Sequence, residues 1–216
     1  ATPLVVLCNP NNPTAGTLPA AALLDAAAQL QRRGGWLIVD EAFGDATPDN
    51  CVTALAGGPA APNLIVLRSL GKFFGLAGAR VGFVFGAREK LDLLREAIGP
   101  WPLSGPARAV ARQALADTAW QQRTRGELIA ASARLAALLA PFGGVQACAL
   151  FATVATPQSV ALYEHLARQA ILTRHFPAHG LLRFGLPGSG CQMRRVTRLP
   201  CTSQVRQRSC HPFSWR

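Results

Sequence analysis

Residues 64–72 read Leu-Ile-Val-Leu-Arg-Ser-Leu-Gly-Lys, an apolar run that gives way to polar residues. Such a run is typical of a buried strand that is followed by a loop. Comparable apolar runs occur at Leu4–Cys8, Trp36–Val39 and Val81–Phe85, and helical patterns cover residues 19–34 and 87–97. Because short apolar strands alternate with helices, the first half of the chain is predicted to form an α/β domain with a mostly parallel sheet.

The second half of the chain has a different pattern. Helical periodicity covers residues 105–119, 120–140 and 159–169, and strand-like runs occupy Val145–Ala155, Ile171–Thr173 and Leu181–Phe184. These elements indicate a smaller α+β unit. The predicted organisation is therefore a partial large domain over residues 1–98, a connecting helical region over 99–126, a small domain over 127–188 and a separate tail over 189–216.

The formal net charge of +11 is concentrated in the last segment. Residues 189–216 hold six arginines and no acidic residue, which leaves 16 basic and 11 acidic side chains in residues 1–188. The small excess on the body of the protein argues against nucleic-acid binding there. The tail has no apolar periodicity, and we predict that it is unstructured or is the product of a shifted reading frame.

The cysteines and the apolar runs argue against several classes of protein. The six cysteines form no C-x-x-C pair, which disfavours a zinc site and a disulfide framework. The apolar run over residues 147–156 is far shorter than the ~20 residues that span a bilayer. The chain also opens without a basic-then-apolar secretory segment, so a soluble cytoplasmic protein that binds neither metal nor membrane is expected.

Polar residues follow three of the predicted strands. Asn12 lies in an Asn-Pro-Asn-Asn-Pro turn, Asp40 follows the second strand, and Ser69 and Lys72 follow the third. Open α/β sheets bind ligands at the carboxyl ends of their strands, so these residues are candidates for a binding site. Each also has a structural explanation, namely turn chemistry for Asn12, helix capping for Asp40 and a loop hydroxyl for Ser69.

Lys72 is harder to explain structurally, because the chain has 20 arginines and only two lysines. Lysine is needed where arginine cannot replace it. Imine formation is such a reaction, since a guanidinium group does not lose its proton in proteins. A chance surface cation is the alternative, and Lys90, in a charged helical stretch, is interpreted in that way.

Four motifs follow one another in the order Asn9-Pro-Asn-Asn-Pro-Thr14, Asp40-Glu-Ala-Phe43, Ser69-Leu-Gly-Lys72 and Arg80. In this order and spacing they resemble fold-type I pyridoxal-phosphate enzymes, the aminotransferase class I/II family. The resemblance runs from residue 4 to about Pro187. It implies the aspartate-aminotransferase fold, pyridoxal phosphate as cofactor and a homodimer.

The resemblance also implies a role for each matching residue. Lys72 would form the internal aldimine with pyridoxal phosphate, and Asp40 would pair with the pyridine nitrogen and keep it protonated. Asn12 would donate a hydrogen bond to the phenolic oxygen of the ring. Ser69 and Arg80 would bind the phosphate group.

Two arginines near the end of the small domain are candidates for substrate binding. Arg183, in Leu-Leu-Arg-Phe-Gly, matches the arginine that binds the substrate carboxylate in this family, although an ordinary strand-edge cation is the alternative. Arg174 and His175 could help to hold a substrate phosphate, with a solvated strand end as the alternative.

Three departures from the family pattern bear on activity. Phe43 stands where many members have tyrosine, and the first turn reads Pro-Thr-Ala-Gly instead of Pro-Thr-Gly. The family region that holds the phosphate-cradling glycine loop and the aromatic residue stacked on the ring would precede Ala1. An amino-terminally truncated chain is therefore expected, and an inactive fragment is one of the alternatives.

Within the family, four stretches resemble threonine-phosphate decarboxylases of cobalamin biosynthesis. They are Asp40–Phe43, Gly71–Arg80, Gly99–Trp101 and Leu182–Pro187. This resemblance implies the decarboxylation of L-threonine O-3-phosphate to aminopropanol phosphate. The alternative within the same fold is a histidinol-phosphate aminotransferase, which usually has tyrosine at the position of Phe43. The choice between the two rests on resemblance alone.

Ser69 and Lys72 also match the Ser-x-x-Lys signature of penicillin-binding proteins, in which the serine is the nucleophile. That family needs Ser-Asp-Asn and Lys-Thr-Gly motifs as well, and this chain has neither. Its serine opens a helix, whereas Gly71 and Gly75 favour a loop here. The acyl-transfer interpretation is therefore disfavoured.

Overall fold

The computed structural model describes residues 3–187, so the predicted tail at 189–216 lies outside the described residues. These residues divide into two compact units. The first holds residues 3–12 and 16–126, and the second holds residues 13–15 and 127–187. The division falls inside one long helix, between Gly126 and Glu127.

The first unit contains a four-stranded sheet in the order β1-β2-β3-β4. Its strands are β1 (Leu4–Cys8), β2 (Trp36–Asp40), β3 (Leu64–Ser69) and β4 (Gly82–Phe85). The first three strands are parallel, as the alternation with helices predicts, and β4 runs antiparallel to β3. The direction reverses because residues 70–81, which join β3 to β4, contain no crossover helix that would carry the chain back to the start of the sheet.

The helices of the first unit follow the predicted periodicity closely. They are α1 (Ala20–Gln31), α2 (Arg88–Ile98), α3 (Gly105–Ala116) and the beginning of α4 (Thr118–Leu139). Ser104 caps α3, because its Oγ accepts a hydrogen bond from Ala107 N–H. Three short 3₁₀ turns between residues 44 and 55, which the sequence did not predict, connect β2 to the segment before β3.

The core of the first unit lies between α1 and the two central strands. Leu23 of α1, Leu37 and Val39 of β2, and Leu64 and Val66 of β3 are fully buried. The prediction that β1 is buried was wrong, since Leu4 and Val6 are 58% and 61% exposed. Within the described residues β1 is the edge strand, with β2 as its single neighbour, and an edge strand buries less surface than a central one.

The second unit contains an antiparallel sheet in the order β5-β6-β8-β7. Its elements after α4 are β5 (Gly144–Cys148), β6 (Phe151–Ala155), α5 (Ser159–Arg168), β7 (Arg174–Phe176) and β8 (Leu181–Gly185). The predicted run Val145–Ala155 is a hairpin of two strands. The strand predicted at Ile171–Thr173 lies three residues later, at β7.

One face of the second sheet packs on helices α4 and α5. Leu135 and Leu139 of α4, Leu166 of α5, Val154 of β6 and Leu182 of β8 are fully buried in one cluster. Because side chains alternate across a strand, the neighbouring residues Thr153, Leu181 and Arg183 lie on the opposite face. The strand register thus decides which side chains face α4 and α5 and which face away from them.

Candidate functional site

The parallel strands of the first sheet end next to one another and bring the predicted site residues to one edge. Cys8, the last residue of β1, is the register partner of Asp40, the last residue of β2, and Asp40 also pairs with Leu67 of β3. Asn12 follows β1 by four residues, and Ser69 is the last residue of β3. The strand register thus places Asp40 and Ser69 at the carboxyl edge of the sheet, and Asn12 follows β1 at the same edge.

Asp40 is held by two hydrogen bonds at the end of β2. Its Oδ1 accepts a hydrogen bond from Ala42 N–H at 2.9 Å. The thiol of Cys8 donates a long contact of 4.0 Å to Oδ2. Burial, and secondarily the charge of Asp40, raises the pKa of the Cys8 thiol, so Cys8 stays protonated and remains a donor. Asp40 does not cap a helix.

Ser69, at the end of β3, leads into a loop that carries Lys72 and Arg80 and is closed at its base. Leu70 N–H donates to Val81 O at 3.3 Å, and Leu76 N–H donates to Leu70 O at 2.9 Å. Inside this loop the Oγ of Ser69 accepts a hydrogen bond from Gly71 N–H at 3.0 Å. Ser69 ends a strand and does not open a helix, which is further evidence against the acyl-transfer interpretation.

Lys72 combines a fixed backbone with an exposed side chain. Its carbonyl oxygen accepts a hydrogen bond from Gly75 N–H at 3.0 Å. Its ammonium group lies 5.4 Å from the centre of the Phe43 ring, within the range of a cation–π contact. Since Phe43 follows Asp40 by three residues, this contact brings the loop of Lys72 against the segment that leaves β2.

Arg80 sits at the far end of the same loop, in a left-handed backbone conformation with φ of 53°. Its Nη1 donates a hydrogen bond to Ala77 O at 3.1 Å, so the side chain turns back over its own loop. The guanidinium group remains exposed. The loop therefore presents one amine, one hydroxyl and one guanidinium group.

Buried acids that the sequence analysis did not identify support this edge. Glu41 is fully buried, and its carboxylate accepts hydrogen bonds from Val52 N–H and from the hydroxyl of Thr53. Burial, together with the charge of Glu41, raises the pKa of the Cys51 thiol to about 12. The anchors of Glu41 thus fix the chain directly after Asp40.

Asp45 is the second buried acid, 2% exposed. Its carboxylate forms an ion pair with Arg68 of β3, and its carbonyl oxygen accepts a hydrogen bond from Arg125 Nε at 2.9 Å. Burial lowers the pKa of Arg68. Arg125 also lies over the ring of Phe73, the residue next to Lys72, at 5.4 Å. No sequence signal distinguishes these acids from surface acids.

A cavity of about 280 Å³ opens beside Ser69. It is lined mainly by apolar side chains, and its polar lining groups are Ser69 and the Asp45–Arg68 ion pair. Lys72 and Arg80 do not line it, so the cavity and the predicted cofactor site share only Ser69. The lining residues are Asp45, Arg68, Ser69, Leu70, Phe83, Phe85 and Leu115.

Arg174 and Arg183 form a pair in the second unit. They are direct register partners on β7 and β8, so both side chains project from the same face of the sheet. Arg174 lies 5.8 Å from the Phe176 ring, and Arg183 lies 5.3 Å from the Phe151 ring. Burial, and secondarily the charge of Arg174, lowers the pKa of Arg183. Two adjacent guanidinium groups, each supported by a phenyl ring, favour a ligand with two anionic groups.

His175 does not join this pair. It is the register partner of Leu182, so its side chain lies on the face that packs on α5. Its ring stacks on Tyr163, and its Nε2 lies 3.2 Å from Ser159 Oγ. The suggestion that His175 contacts a substrate phosphate beside Arg174 was therefore wrong, because neighbouring residues of a strand face opposite sides.

Two other features are absent from residues 3–187, a cluster of metal ligands and a membrane-spanning helix. No group of three or more His, Cys, Asp or Glu side chains in that range could hold a metal ion. Nor does any helix in the described part of the chain have both the length and the apolar character needed to cross a membrane.

Comparison with known proteins gives a consistent family. A sequence model described as "Aminotransferase class I and II" matches residues 1–198. Threonine-phosphate decarboxylase of Pseudomonas aeruginosa is 48% identical over 195 residues, which is 89% of this chain and 58% of that protein. Histidinol-phosphate aminotransferase of Sodalis glossinidius is 43% identical over 124 residues, which is 56% of this chain and 33% of that protein.

A solved structure supports the fold. The crystal structure of histidinol-phosphate aminotransferase from Sinorhizobium meliloti, in complex with pyridoxal-5'-phosphate, superposes with a TM-score of 0.76 at 24% identity. The superposition covers 95% of this chain and 58% of that one. The chain thus spans a little over half the length of the Pseudomonas decarboxylase and of the Sinorhizobium aminotransferase.

Proposed function

Because the chain belongs to the aminotransferase class I and II family, we propose that it holds pyridoxal phosphate through Lys72 and serves the decarboxylation of L-threonine O-3-phosphate to aminopropanol phosphate, a step of cobalamin biosynthesis. The observation that carries this proposal is the 48% identity to a threonine-phosphate decarboxylase across 89% of the chain. The cofactor and the substrate are supported separately by the chemistry of the two units.

The side chains at the edge of the first sheet match the chemical groups of pyridoxal phosphate. Lys72 supplies an amine for the cofactor's carbonyl carbon, and Asp40 supplies a carboxylate for its pyridine nitrogen. Ser69 and Arg80 supply a hydroxyl and a guanidinium group for its phosphate, and Asn12 supplies an amide for its phenolic oxygen. When bound, this cofactor supplies a conjugated ring that takes up the electron pair released as a bond to the substrate's Cα breaks.

Asp40 has the task of stabilising positive charge on the ring nitrogen. Its carboxylate is oriented by Ala42 N–H and by the Cys8 thiol, so it is held in one position before any ligand arrives. An acceptor that is already oriented loses little conformational entropy on binding. The hydrogen bond from Ala42 N–H occupies one lone pair, and the remaining lone pairs of the carboxylate can accept a hydrogen bond from a protonated ring nitrogen.

Lys72 would hold the cofactor through its amine and, once freed from that bond, would be the group that moves a proton. Its backbone is fixed by Gly75 N–H, whereas its side chain is exposed and carries the amine on four flexible methylene groups. A fixed backbone keeps the amine within reach of one place, and a flexible side chain lets it change partners. This combination suits the successive tasks.

Arg183 and Arg174 are proposed to bind the carboxylate and the phosphate of the substrate, respectively. Held at two points, the substrate cannot rotate freely about its Cα. In the reaction that the family resemblance implies, only a Cα bond perpendicular to the ring of the bound cofactor could deliver its electrons into that ring. A two-point hold on β7 and β8 would restrict how the substrate can turn, and that restriction would bear on the choice between loss of the carboxylate and loss of the hydrogen.

The cofactor assignment is tested by incubating the chain with pyridoxal phosphate, reducing with borohydride and mapping the adduct by mass spectrometry. Lys90 is a matched control, because its ammonium group lies 5.2 Å from the Trp36 ring, much as that of Lys72 lies over Phe43. We expect an adduct at Lys72, none at Lys90 and none in Lys72→Ala. Equal labelling of both lysines would show that the chain has no specific cofactor site.

The reaction is tested on chain that has been loaded with pyridoxal phosphate but not treated with borohydride. O-phospho-L-threonine is added, and the release of carbon dioxide and the transfer of the amino group are both measured. Release of carbon dioxide supports the decarboxylase. Amino transfer without carbon dioxide would favour the histidinol-phosphate aminotransferase alternative, which the 43% identity over 124 residues supports less well. An adduct at Lys72 with neither product would mean that this chain binds the cofactor but is an inactive fragment.

The cellular context is proposed on the same family resemblance. We place the protein in the cytoplasm as a homodimer that takes a small phosphorylated amino acid. Light scattering on the purified chain tests the dimer, and a mass of one chain, 22.8 kDa, would contradict it.

A further inference from the structure

Within residues 3–187, strand β7, which carries Arg174, is attached to its sheet on one side only. It has three residues, lies at the edge of the order β5-β6-β8-β7, and has β8 as its single partner among the described strands. Short edge strands are among the first elements to open locally. The position of Arg174 therefore needs support beyond the backbone pairing.

The arginine pair itself opposes the pairing of β7 with β8. Like charges at directly opposite positions of an antiparallel pair destabilise it. Arg174 and Arg183 occupy such positions, and in residues 3–187 no ion pair with an acid is made by Arg174. Without an anionic ligand, repulsion favours a wider separation of the two guanidinium groups.

His175 supplies the attachment that the backbone lacks. Its ring stacks on Tyr163 with a centroid distance of 5.1 Å and an interplanar angle of 20°. Its Nε2 and the Oγ of Ser159 are 3.2 Å apart and form a hydrogen bond. Ser159 and Tyr163 are four residues apart on α5, so they lie on one stripe of that helix, and His175 contacts both.

Helix α5 is a firm support for this attachment. Its residues Leu162 and Leu166 belong to the apolar cluster of the second unit, and their side chains are 3% and 0% exposed. Ser159 is itself 4% exposed, so its hydroxyl is shielded from water that would compete for the hydrogen bond. The contacts of His175 connect the back of β7 to the most buried part of the unit.

From this arrangement we infer that His175 is a positioning residue. Through Ser159 and Tyr163 it fixes the separation of Arg174 from Arg183, and it thereby sets the spacing of the two anionic groups that the pair accepts. The inference rests on the proposed function, because it requires that Arg174 bind the substrate phosphate. A histidine that only filled the core would stabilise the unit equally for every ligand.

The test compares two ligands that differ only in the phosphate, O-phospho-L-threonine and L-threonine. Their dissociation constants are measured by calorimetry on the full cofactor-loaded chain. We expect His175→Ala and Ser159→Ala each to raise the dissociation constant of phosphothreonine about tenfold and to leave that of threonine unchanged. His175→Gln, whose amide can still bond to Ser159, should recover part of the loss.

Two further variants distinguish a failure of the proposed function from a failure of the positioning role. Arg174→Ala tests the proposed function directly, because it should abolish the preference for phosphothreonine. Tyr163→Phe is a matched control that keeps the stacked ring and removes only the hydroxyl, so the dissociation constants of both ligands should stay the same. Ser159→Ala removes a single oxygen, which guards against a misfolded His175 variant; thermal unfolding confirms that each variant is folded.

Each result has one meaning. If Arg174→Ala leaves the preference intact, or if the unmodified chain does not bind phosphothreonine, the assignment of the phosphate to Arg174 fails and the inference fails with it. If Arg174→Ala abolishes the preference but His175→Ala and Ser159→Ala do not reduce it, the function stands and the positioning role is wrong. An equal rise in the dissociation constants of both ligands would show that His175 has a structural role and does not set the spacing of the arginines.

Discussion

The first sheet carries its candidate residues at the last positions of its strands or on the loops that follow, whereas the second sheet carries them inside strands. Asn12 and Lys72 lie beyond β1 and β3, but Arg174 and Arg183 are paired residues of β7 and β8. A residue within a strand takes its position from the register. A residue on a loop has no such register, so other groups must fix the loop.

The first unit uses buried polar groups for that purpose. Asn9 is 2% exposed, and its side chain bonds to the backbone of Leu18 and Asn50. Glu41 bonds to Val52 and Thr53. In contrast, one face of the second sheet is fixed by apolar contacts, and the opposite face carries the two arginines. Loop-borne sites thus depend on buried hydrogen bonds, and strand-borne sites depend on register and apolar packing.

The largest effect is expected from Glu41→Ala, which tests whether buried hydrogen bonds hold the loops of the first unit. The substitution leaves Val52 N–H and the Thr53 hydroxyl without their buried acceptor, and we expect a loss of about 4 kcal/mol in the free energy of unfolding. Urea unfolding can be followed by tryptophan fluorescence, because Trp36, Trp101 and Trp120 all belong to the first unit.

Glu96→Ala is the control for that measurement, since Glu96 is exposed on α2, and a change within about 0.5 kcal/mol is expected. A small loss for Glu41→Ala as well would mean that the loops of the first unit are held by apolar contacts, like the second sheet. The contrast between the units would then disappear.

A second test uses adjacent leucines of β8. Leu182 is fully buried against α4 and α5, so Leu182→Ala should cost about 3 kcal/mol. Leu181 faces the opposite side and is only partly buried, so Leu181→Ala should cost about 1 kcal/mol. Urea unfolding followed by circular dichroism measures both. Equal losses would contradict the assignment of faces, and with it the placement of Arg174 beside Arg183.

The smallest expected effect concerns the Cys8 thiol. Burial and the charge of Asp40 raise its pKa, so Asp40→Asn should lower the pKa and increase the rate of alkylation by iodoacetamide at pH 8 a few-fold, roughly in proportion to the thiolate fraction. Peptide mapping separates the cysteines. Cys148 is the control, because burial also raises its pKa but Asp40 is not among the causes. An unchanged rate at Cys8 would mean that Asp40 does not face it.

Much of the first unit could be predicted from the sequence. The apolar runs at 36–39 and 64–67 predict β2 and β3 to within two residues, because a strand buried on both faces has a continuous apolar sequence. The fold and the family were predicted from motifs that follow these strands. The exposure of β1 was not, because an edge strand can have the same composition as a central one.

The second unit was predicted less well, for a physical reason. Strand β7 reads Arg-His-Phe, and two of its residues are polar, so it has no apolar run. The prediction therefore fell on the preceding Ile171–Thr173. With the correct bounds, strict alternation would have separated Arg174 from His175. The buried acids Glu41 and Asp45 could not be predicted, because only tertiary contacts distinguish them from surface acids. The roles assigned to the site residues stay predictions.

The scarcity of lysine has a practical consequence for spectroscopy. The sequence has only Lys72 and Lys90, and each ammonium group lies over an aromatic ring, Phe43 in one case and Trp36 in the other. Lysine labelled with carbon-13 at Cε should therefore give two resolved NMR resonances, displaced differently by the ring currents of a phenyl and an indole. One of those signals would report directly on the amine that is proposed to hold the cofactor, in an unmodified chain and without any engineered probe.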